Sequence, residues 1–142
     1  MSVTMSREER EHFLAGVHVG VLSVASVDGS GPLAVPVWYS CQPRGTVDVI
    51  TGGSTRKAAA IRLAGRFSLC AQDERPPYKY VTVEGPVTME EASHDERLGL
   101  ARRYLGPEGG DAYVSANPTG GQVVFRMTPE RWLTVDYSKV YG

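Results

Sequence analysis

The sequence predicts a β-rich α+β fold, an antiparallel barrel of about five to seven strands carrying a few peripheral helices. Three observations predict it. Runs rich in Val, Leu and aromatic residues recur along the chain, the turns between them are short and built from Gly, Pro, Asn and Asp, and helical stretches are too few for alternating βαβ units. Closing such a sheet on itself leaves few exposed edges. At 142 residues the chain is expected to form one domain over residues 1–142, and it can bury a core without metal or disulfide support.

Ser6-Arg7-Glu8-Glu9 has the form of a capping box, so a short helix follows it. Val17 to Ser26 and Leu33 to Cys41 flank the turn signal Asp28-Gly29-Ser30-Gly31 and predict a β-hairpin. After a second turn at Gln42 to Gly45, the alternating run Thr46 to Thr51 predicts a third strand. An Ala-rich helix of about three turns follows Ser54 and stops at Gly65, a natural left-handed cap. Arg66 to Gln72 and the long run Tyr78 to Met89 are the next strands, separated by a charged, Pro-containing loop. A second capping box at Ser93 and Glu96 opens a helix that should end at Gly106-Pro107, with a further helical piece at Asp111 to Ala116. Asn117 to Gly121 reads as a turn, Gln122 to Thr128 as a strand, and Trp132 to Asp136 as the last extended segment.

Composition narrows the function classes. A formal net charge of −1 lacks the electrostatic footprint of a general nucleic-acid binder, so any anion site must be local. No apolar run approaches the roughly 20 residues that span a bilayer, and the N-terminus lacks the basic start and apolar centre of a secretory signal. A cytoplasmic location is expected. Cys41 and Cys70 are too few and too far apart for a zinc motif or a C-x-x-C pair, and are expected to be reduced and structural. His12, His18 and His94 lack metal-ligand spacing. No metal site is predicted.

The chemistry concentrates in Thr51-Gly52-Gly53-Ser54-Thr55-Arg56-Lys57, between a strand and a helix. With Ser54 as N-cap, the first helical residues would be Thr55, Arg56 and Lys57, whose backbone N–H groups have no intrahelical acceptor. These donors, the helix dipole and two side-chain cations would converge on one anion, a phosphate above all. Arg56 and Lys57 stand about 100° apart on the helix, with the small Ala60 between them. Arg62 and Arg66 project elsewhere and read as surface charges.

Leu33 to Tyr39, Val47 to Thr51, Gly53 to Ala58 and Tyr80 to Gly85, in this order and spacing, resemble the pyridoxamine 5′-phosphate oxidase-like split-barrel family. The resemblance covers about Val17 to Thr88 firmly and the tail from Arg131 loosely. It implies a six- to seven-stranded antiparallel split β-barrel with Greek-key-like connections. It also implies a flavin mononucleotide (FMN) or the deazaflavin coenzyme F-420 as cofactor, and a homodimer with the cofactor between subunits. By the same resemblance Arg56 and Lys57 would bind phosphate, with Thr51 and Ser54 completing the pocket. Val35, Pro36, Val37 and Trp38 would lie against the ring, and Tyr80 holds a cofactor-contacting position that is Gln in some relatives. Trp132, Asp136 and Tyr137 would complete the partner's pocket or pack on their own barrel.

The C-terminal Arg-rich substrate motif of true pyridoxamine-phosphate oxidases is missing, so vitamin B6 oxidation is not expected. Nor does the chain offer a nucleophile–base pair or paired carboxylates. Hydride transfer on a cofactor needs neither, and no dedicated catalytic residue is expected. The resemblance, to short, single-domain, Ala/Gly/Val/Arg-rich members of the family, implies the deazaflavin ahead of FMN, and charge counting adds that a singly charged phosphodiester with a tail suits two cations in the turn, with Lys79, Arg44 and Arg75 as tail contacts. The expected function is therefore deazaflavin- or FMN-dependent hydride transfer to or from a small organic substrate, with a non-catalytic cofactor carrier as the alternative. Haem binding is disfavoured because no C-terminal histidine is available to ligate iron.

Overall fold

The computed structural model describes residues 2–117 and 120–141. Helix α1 (Arg7–Ala15) opens on the expected capping box: the Ser6 hydroxyl accepts the Glu9 N–H at 3.2 Å, and the Glu9 carboxylate accepts the Ser6 N–H at 2.8 Å. The hairpin follows as β1 (Gly20–Val24) and β2 (Leu33–Val37), with Leu22 opposite Val35. The run expected to continue to Cys41 as one strand breaks at Trp38 and Tyr39. Its remainder, β3 (Ser40–Cys41), pairs instead with β4 (Val47–Gly52). Then come α2 (Arg56–Ala64), β5 (Arg66–Asp73), β6 (Lys79–Glu91), α3 (His94–Ala116), β7 (Gln122–Met127), β8 (Arg131–Asp136) and α4 (Ser138–Tyr141).

All strand pairings are antiparallel, in the order β2-β1-β5-β6-β7-β4-β3, with β8 also on β6. The two strands at the ends of that order, β2 and β3, are joined by only Trp38 and Tyr39. The sheet therefore curls back on itself into a half-barrel. Its split lies within β6, where Lys79 to Glu84 pair with β8 and Val87 to Glu91 pair with β7. The change of partner occurs at Gly85. A β-carbon there would collide with the Thr128 carbonyl, while the Thr128 and Glu130 N–H groups reach the Pro86 and Glu84 carbonyls, each at 2.9 Å.

Inward-facing residues alternate along every strand, and Leu22, Leu69, Val83, Val49 and Phe125 are at most 1% exposed. Leu14 of α1 and Ala58 and Ile61 of α2 join the same core. Helix α3 covers the outward face of β4 and β7, burying Val124 completely. Arg126 on that face reaches Asp48 (2.8 Å), Glu90 (3.2 Å) and, at the start of α3, Glu96 (2.9 Å). This cluster holds the helix to the sheet by charge-assisted bonds shared over three elements.

The first segment of α3 stops at Gly106-Pro107, as its stop signal predicts. Gly106 has φ 80° and ψ 171°, and Pro107 takes the first position of a second helical segment that runs directly to Ala116. Pro at N1 sacrifices no bonded N–H, so the stop signal acts as a kink and a restart. Pro118 and Thr119, in the turn expected over Asn117 to Gly121, lie outside the described residues.

Because the carbonyl facing Gly85 is backbone and cannot swing aside, Gly85→Ala is expected to cost more than about 3 kcal/mol, at the severe end for one substitution. A denaturant midpoint equal to that of the wild type would contradict this role for Gly85.

Candidate functional site

Strand β4 ends at Gly52, and the chain turns into α2 through Gly53, Ser54 and Thr55. Thr55, rather than the expected Ser54, is the N-cap: its hydroxyl accepts the Ala58 N–H at 3.1 Å and donates to the Gly52 carbonyl at 2.9 Å. The Thr55 N–H also bonds the Gly52 carbonyl (3.2 Å), so residues 52–55 form a turn that consumes the position where Ser54 would cap. The exposed Ser54 is left in that turn, and the helix's first three residues are Arg56, Lys57 and Ala58. Among the described residues the Arg56 and Lys57 N–H groups meet no acceptor. Gly53 extends the β4–β7 ladder by donating to the Gly121 carbonyl (2.8 Å). Arg62, expected to be only a surface charge, is exposed yet donates to the Gly53 carbonyl at 2.6 Å and braces the loop. Arg66 pairs with Glu130 at 3.3 Å.

The two cations at the helix start do not converge. Lys57 lines a cavity of ≈ 600 Å³ between α2, the end of β2, the outward face of β4 and α3. Arg56 turns to the β1–β2 hairpin and lines a separate cavity of ≈ 110 Å³ with Asp28 and Ala60. Ala60, 3% exposed, does not open a space shared by the two: it borders the cavity of Arg56 and not that of Lys57.

Of the residues expected around a cofactor, Pro36, Val37, Trp38 and Lys57 meet in the larger cavity. Val35, one residue out of phase with Pro36, packs against the core. Thr51 is buried, its hydroxyl 3.4 Å from that of Thr55, and supports the cap from below. Tyr80 lies on the outward face of β6, paired with Gln72 and Val135, and does not line the cavity. Neither do Arg44, Arg75 and Lys79; Arg75 is bound to Asp73 at 3.0 Å. Trp132 and Asp136 pack on their own chain, Trp132 beneath the Arg10 guanidinium (4.4 Å) and Asp136 accepting the Ser138 N–H at 2.9 Å. Tyr137 stands beside Tyr141.

Helix α3, expected to be peripheral, supplies much of the wall. Arg97, Leu100 and Ala101 line the cavity, and Tyr104 completes the same face at spacing i, i+3, i+4, i+7. Tyr104 stacks on Trp38 with ring centroids 5.1 Å apart and planes at 7°, and Tyr113 tilts against the same indole at 5.3 Å. The Tyr104 hydroxyl accepts the Tyr39 N–H at 3.0 Å and donates to the His18 carbonyl at 2.6 Å. The Tyr39 hydroxyl in turn donates to the Leu14 carbonyl at 2.6 Å. Trp38 is thus held on one face by α3, and the corner between β2 and β3 is tied to α1 and α3 together. The helical period of 97, 100, 101 and 104 was the sequence signal for this face, but nothing local said which surface it would meet.

The cavity's charge is one-sided. Lys57 and Arg97 line it with the amides of Asn117 and Gln122, and among the described residues none that lines it is Asp, Glu, His, Cys or Met. Arg97 bonds the Asn117 carbonyl. Lys57 has no ion-pair partner among the described residues, and burial pushes its ammonium below the usual lysine range. Elsewhere, burial pushes the Cys41 thiol up to about 11, in keeping with an inert structural thiol. Among the described residues no group of His, Cys, Asp and Glu is arranged to hold a metal ion.

No family model and no curated protein matches the chain in sequence. Several solved structures share its fold. A conserved hypothetical protein, Rv2991 from Mycobacterium tuberculosis, superposes with a TM-score of 0.79 at 21% identity, covering 99% of this chain and 91% of that one. An F420 reductase superposes at 0.71 and 19% identity, with 87% and 94% covered. HutZ, a heme storage protein from Vibrio cholerae, superposes at 0.61 and 16% identity, with 91% and 89% covered. One fold thus carries redox-cofactor and haem proteins, and the chemistry must be argued from the site. No described helix is long and apolar enough to cross a membrane.

Tyr104→Phe keeps the stack on Trp38 but strands the Tyr39 N–H and the His18 carbonyl, so a loss of about 1–3 kcal/mol in unfolding free energy is expected with the near-ultraviolet tryptophan signal retained. Unchanged stability would show that water replaces the hydroxyl. Lys57 yields a second test. Its folded-state pKa is lowered, so the unfolded chain binds the proton more tightly, and stability rises with pH between the lowered value and the ordinary 10.5. Lys57→Met is expected to raise the melting temperature of the ligand-free protein at neutral pH and to flatten that rise; a lower melting temperature would refute it.

Proposed function

We propose that the protein is an oxidoreductase whose ≈ 600 Å³ cavity holds a flavin-type cofactor, the deazaflavin coenzyme F-420 ahead of FMN, for hydride transfer to or from a small organic substrate. One observation carries this reading: an unpaired, half-buried Lys57 in the first turn of α2 faces the same cavity as an apolar wall formed by Pro36, Val37 and Trp38. A buried cation without a carboxylate is costly, and an anionic ligand relieves that cost. The volume lies in the range of cofactor pockets, and the donor set fits a phosphate joined to a flat ring. Lys57 and the first-turn N–H groups would hold the phosphate, Pro36 to Trp38 would bound the ring, and Arg97 and Gln122 would serve its remaining polar groups. With Arg56 turned to the hairpin, one lysine in this turn suits a phosphodiester monoanion better than a dianion.

When bound, such a cofactor supplies the hydride chemistry itself. The chain's part is to bind, orient and exclude water, consistent with a lining that contains no carboxylate or imidazole. The same absence favours a non-catalytic carrier as the second reading. A haem reading is less well supported, because the lining offers no His, Cys or Met. We further propose a two-fold dimer through the outward face of β1, β5, β6 and β8. There the register lines up Pro36, Val21, Cys70, Thr82 and Leu133 in one row, with Val21 41% and Leu133 59% exposed. Tyr80 lies on this face, which gives it a route to the partner's site.

Titrating the protein with coenzyme F-420 and with FMN, followed by visible absorption, tests the reading. Saturable binding of F-420 is expected, tighter than that of FMN. Lys57→Met should weaken it by about tenfold or more and Arg56→Ala by less. Because only protonated Lys57 attracts phosphate, affinity should fall as pH rises towards its lowered pKa. Unchanged affinity in Lys57→Met overturns the phosphate assignment, failure with every hydride acceptor leaves the carrier, and an elution mass of one chain removes the dimer.

A further inference from the structure

A second cleft, of ≈ 450 Å³, lies between α1, the β3–β4 turn and the connection from β7 to β8, and shares no lining residue with the first. Five charged side chains line it, and three are already satisfied. Arg7 binds Glu11 at 3.2 Å, and Glu130 is bound by Arg66 at 3.3 Å. Arg10 and Arg44 remain, with no carboxylate partner among the described residues. Arg10 is the unusual one. Its guanidinium lies 4.4 Å above the Trp132 ring, and its buried Nε has no hydrogen-bond partner among the described residues. Stacking fixes the plane of the fork while leaving its donors unspent, which suits a planar, two-oxygen acceptor. Arg44 holds φ 64°, an uncommon backbone for a non-glycine residue, and so commits its position on the turn.

Leu14, Pro43, Pro129 and Trp132 give the cleft an apolar wall, with the uncharged polar Gln42, Thr46 and Thr128 also at its border, and its volume far exceeds that of a bare oxyanion. Arg10 is half-buried and Arg44 exposed, so one desolvated cation faces the cleft and balances one negative charge. We propose that this cleft binds a small organic carboxylate with a flat apolar body, the carboxylate on Arg10 and Arg44 and the body against the prolines and Trp132. The site is independent of the cofactor cavity.

The probe is 2-naphthoate, followed through the Trp132 indole N–H in ¹⁵N-correlated spectra. The chain has two tryptophans, and Trp38→Phe assigns the signals. The expected result is a saturable shift of the Trp132 signal, weakened by about tenfold or more in Arg10→Met and measurably in Arg44→Ala. Uncharged 2-naphthamide should bind about tenfold more weakly, and Lys57→Met should change nothing. No saturation by about 1 mM naphthoate overturns the proposal. So does equal binding of the amide, equal binding of inorganic phosphate, or unchanged affinity in both arginine variants. Should Arg10→Met fail to fold, Arg44→Ala and the amide comparison still decide the matter.

Discussion

The close approach of Gly85 to the Thr128 carbonyl is the contact on which the rest of the architecture depends. A long strand can serve two partners on one side only if those partners meet end to end along it. Here β7 hands over to β8 across Thr128, Pro129 and Glu130, and the handover requires the backbone of β6 to be bare at Gly85. With it, β7 reaches β4 and builds the half of the sheet that α3 covers, while β8 extends the half whose outer face stays open. Both the larger cavity and the Arg10 cleft border elements placed by this bend.

A second junction turns that architecture into a site. The two residues between β2 and β3 close the curl of the sheet, and a corner so short would leave polar backbone groups unpaired. Tyr104 supplies the missing partners, and the Tyr39 hydroxyl takes up a carbonyl at the end of α1. Satisfying the corner also fixes the Trp38 indole, so one set of hydrogen bonds serves both stability and the cavity wall. Lys57 works in the opposite sense. It has no ion-pair partner among the described residues, and partial burial lowers its pKa by disfavouring the charged form.

Much of the fold was legible in the sequence because its signals are local. Both capping boxes, the left-handed Gly65 and the strands from β4 to β8 appear close to where composition and alternation put them. Local signals failed where a long-range contact outweighed them. The Gly53 bond to Gly121 and the turn at Gly52 shifted the cap from Ser54 to Thr55, and the run expected to be one strand from Leu33 to Cys41 broke at Trp38 and Tyr39. At the site, Lys57 and Pro36 to Trp38 line one cavity, whereas Arg56, Val35 and Tyr80 face other surroundings.

The sequence by itself determined the class of fold, the order of its elements and the presence of a basic helix start after a Gly-Gly turn. Those properties follow from periodicity, caps and turn chemistry within a few residues of one another. The tertiary structure alone decided that Arg56 and Lys57 part company, that Arg62 braces the loop and that α3 forms the wall. It also left Arg10 stacked on Trp132, its Nε without a hydrogen-bond partner among the described residues. These outcomes depend on which surfaces meet after the sheet bends at Gly85, and pairings over tens of residues leave no mark in any local pattern.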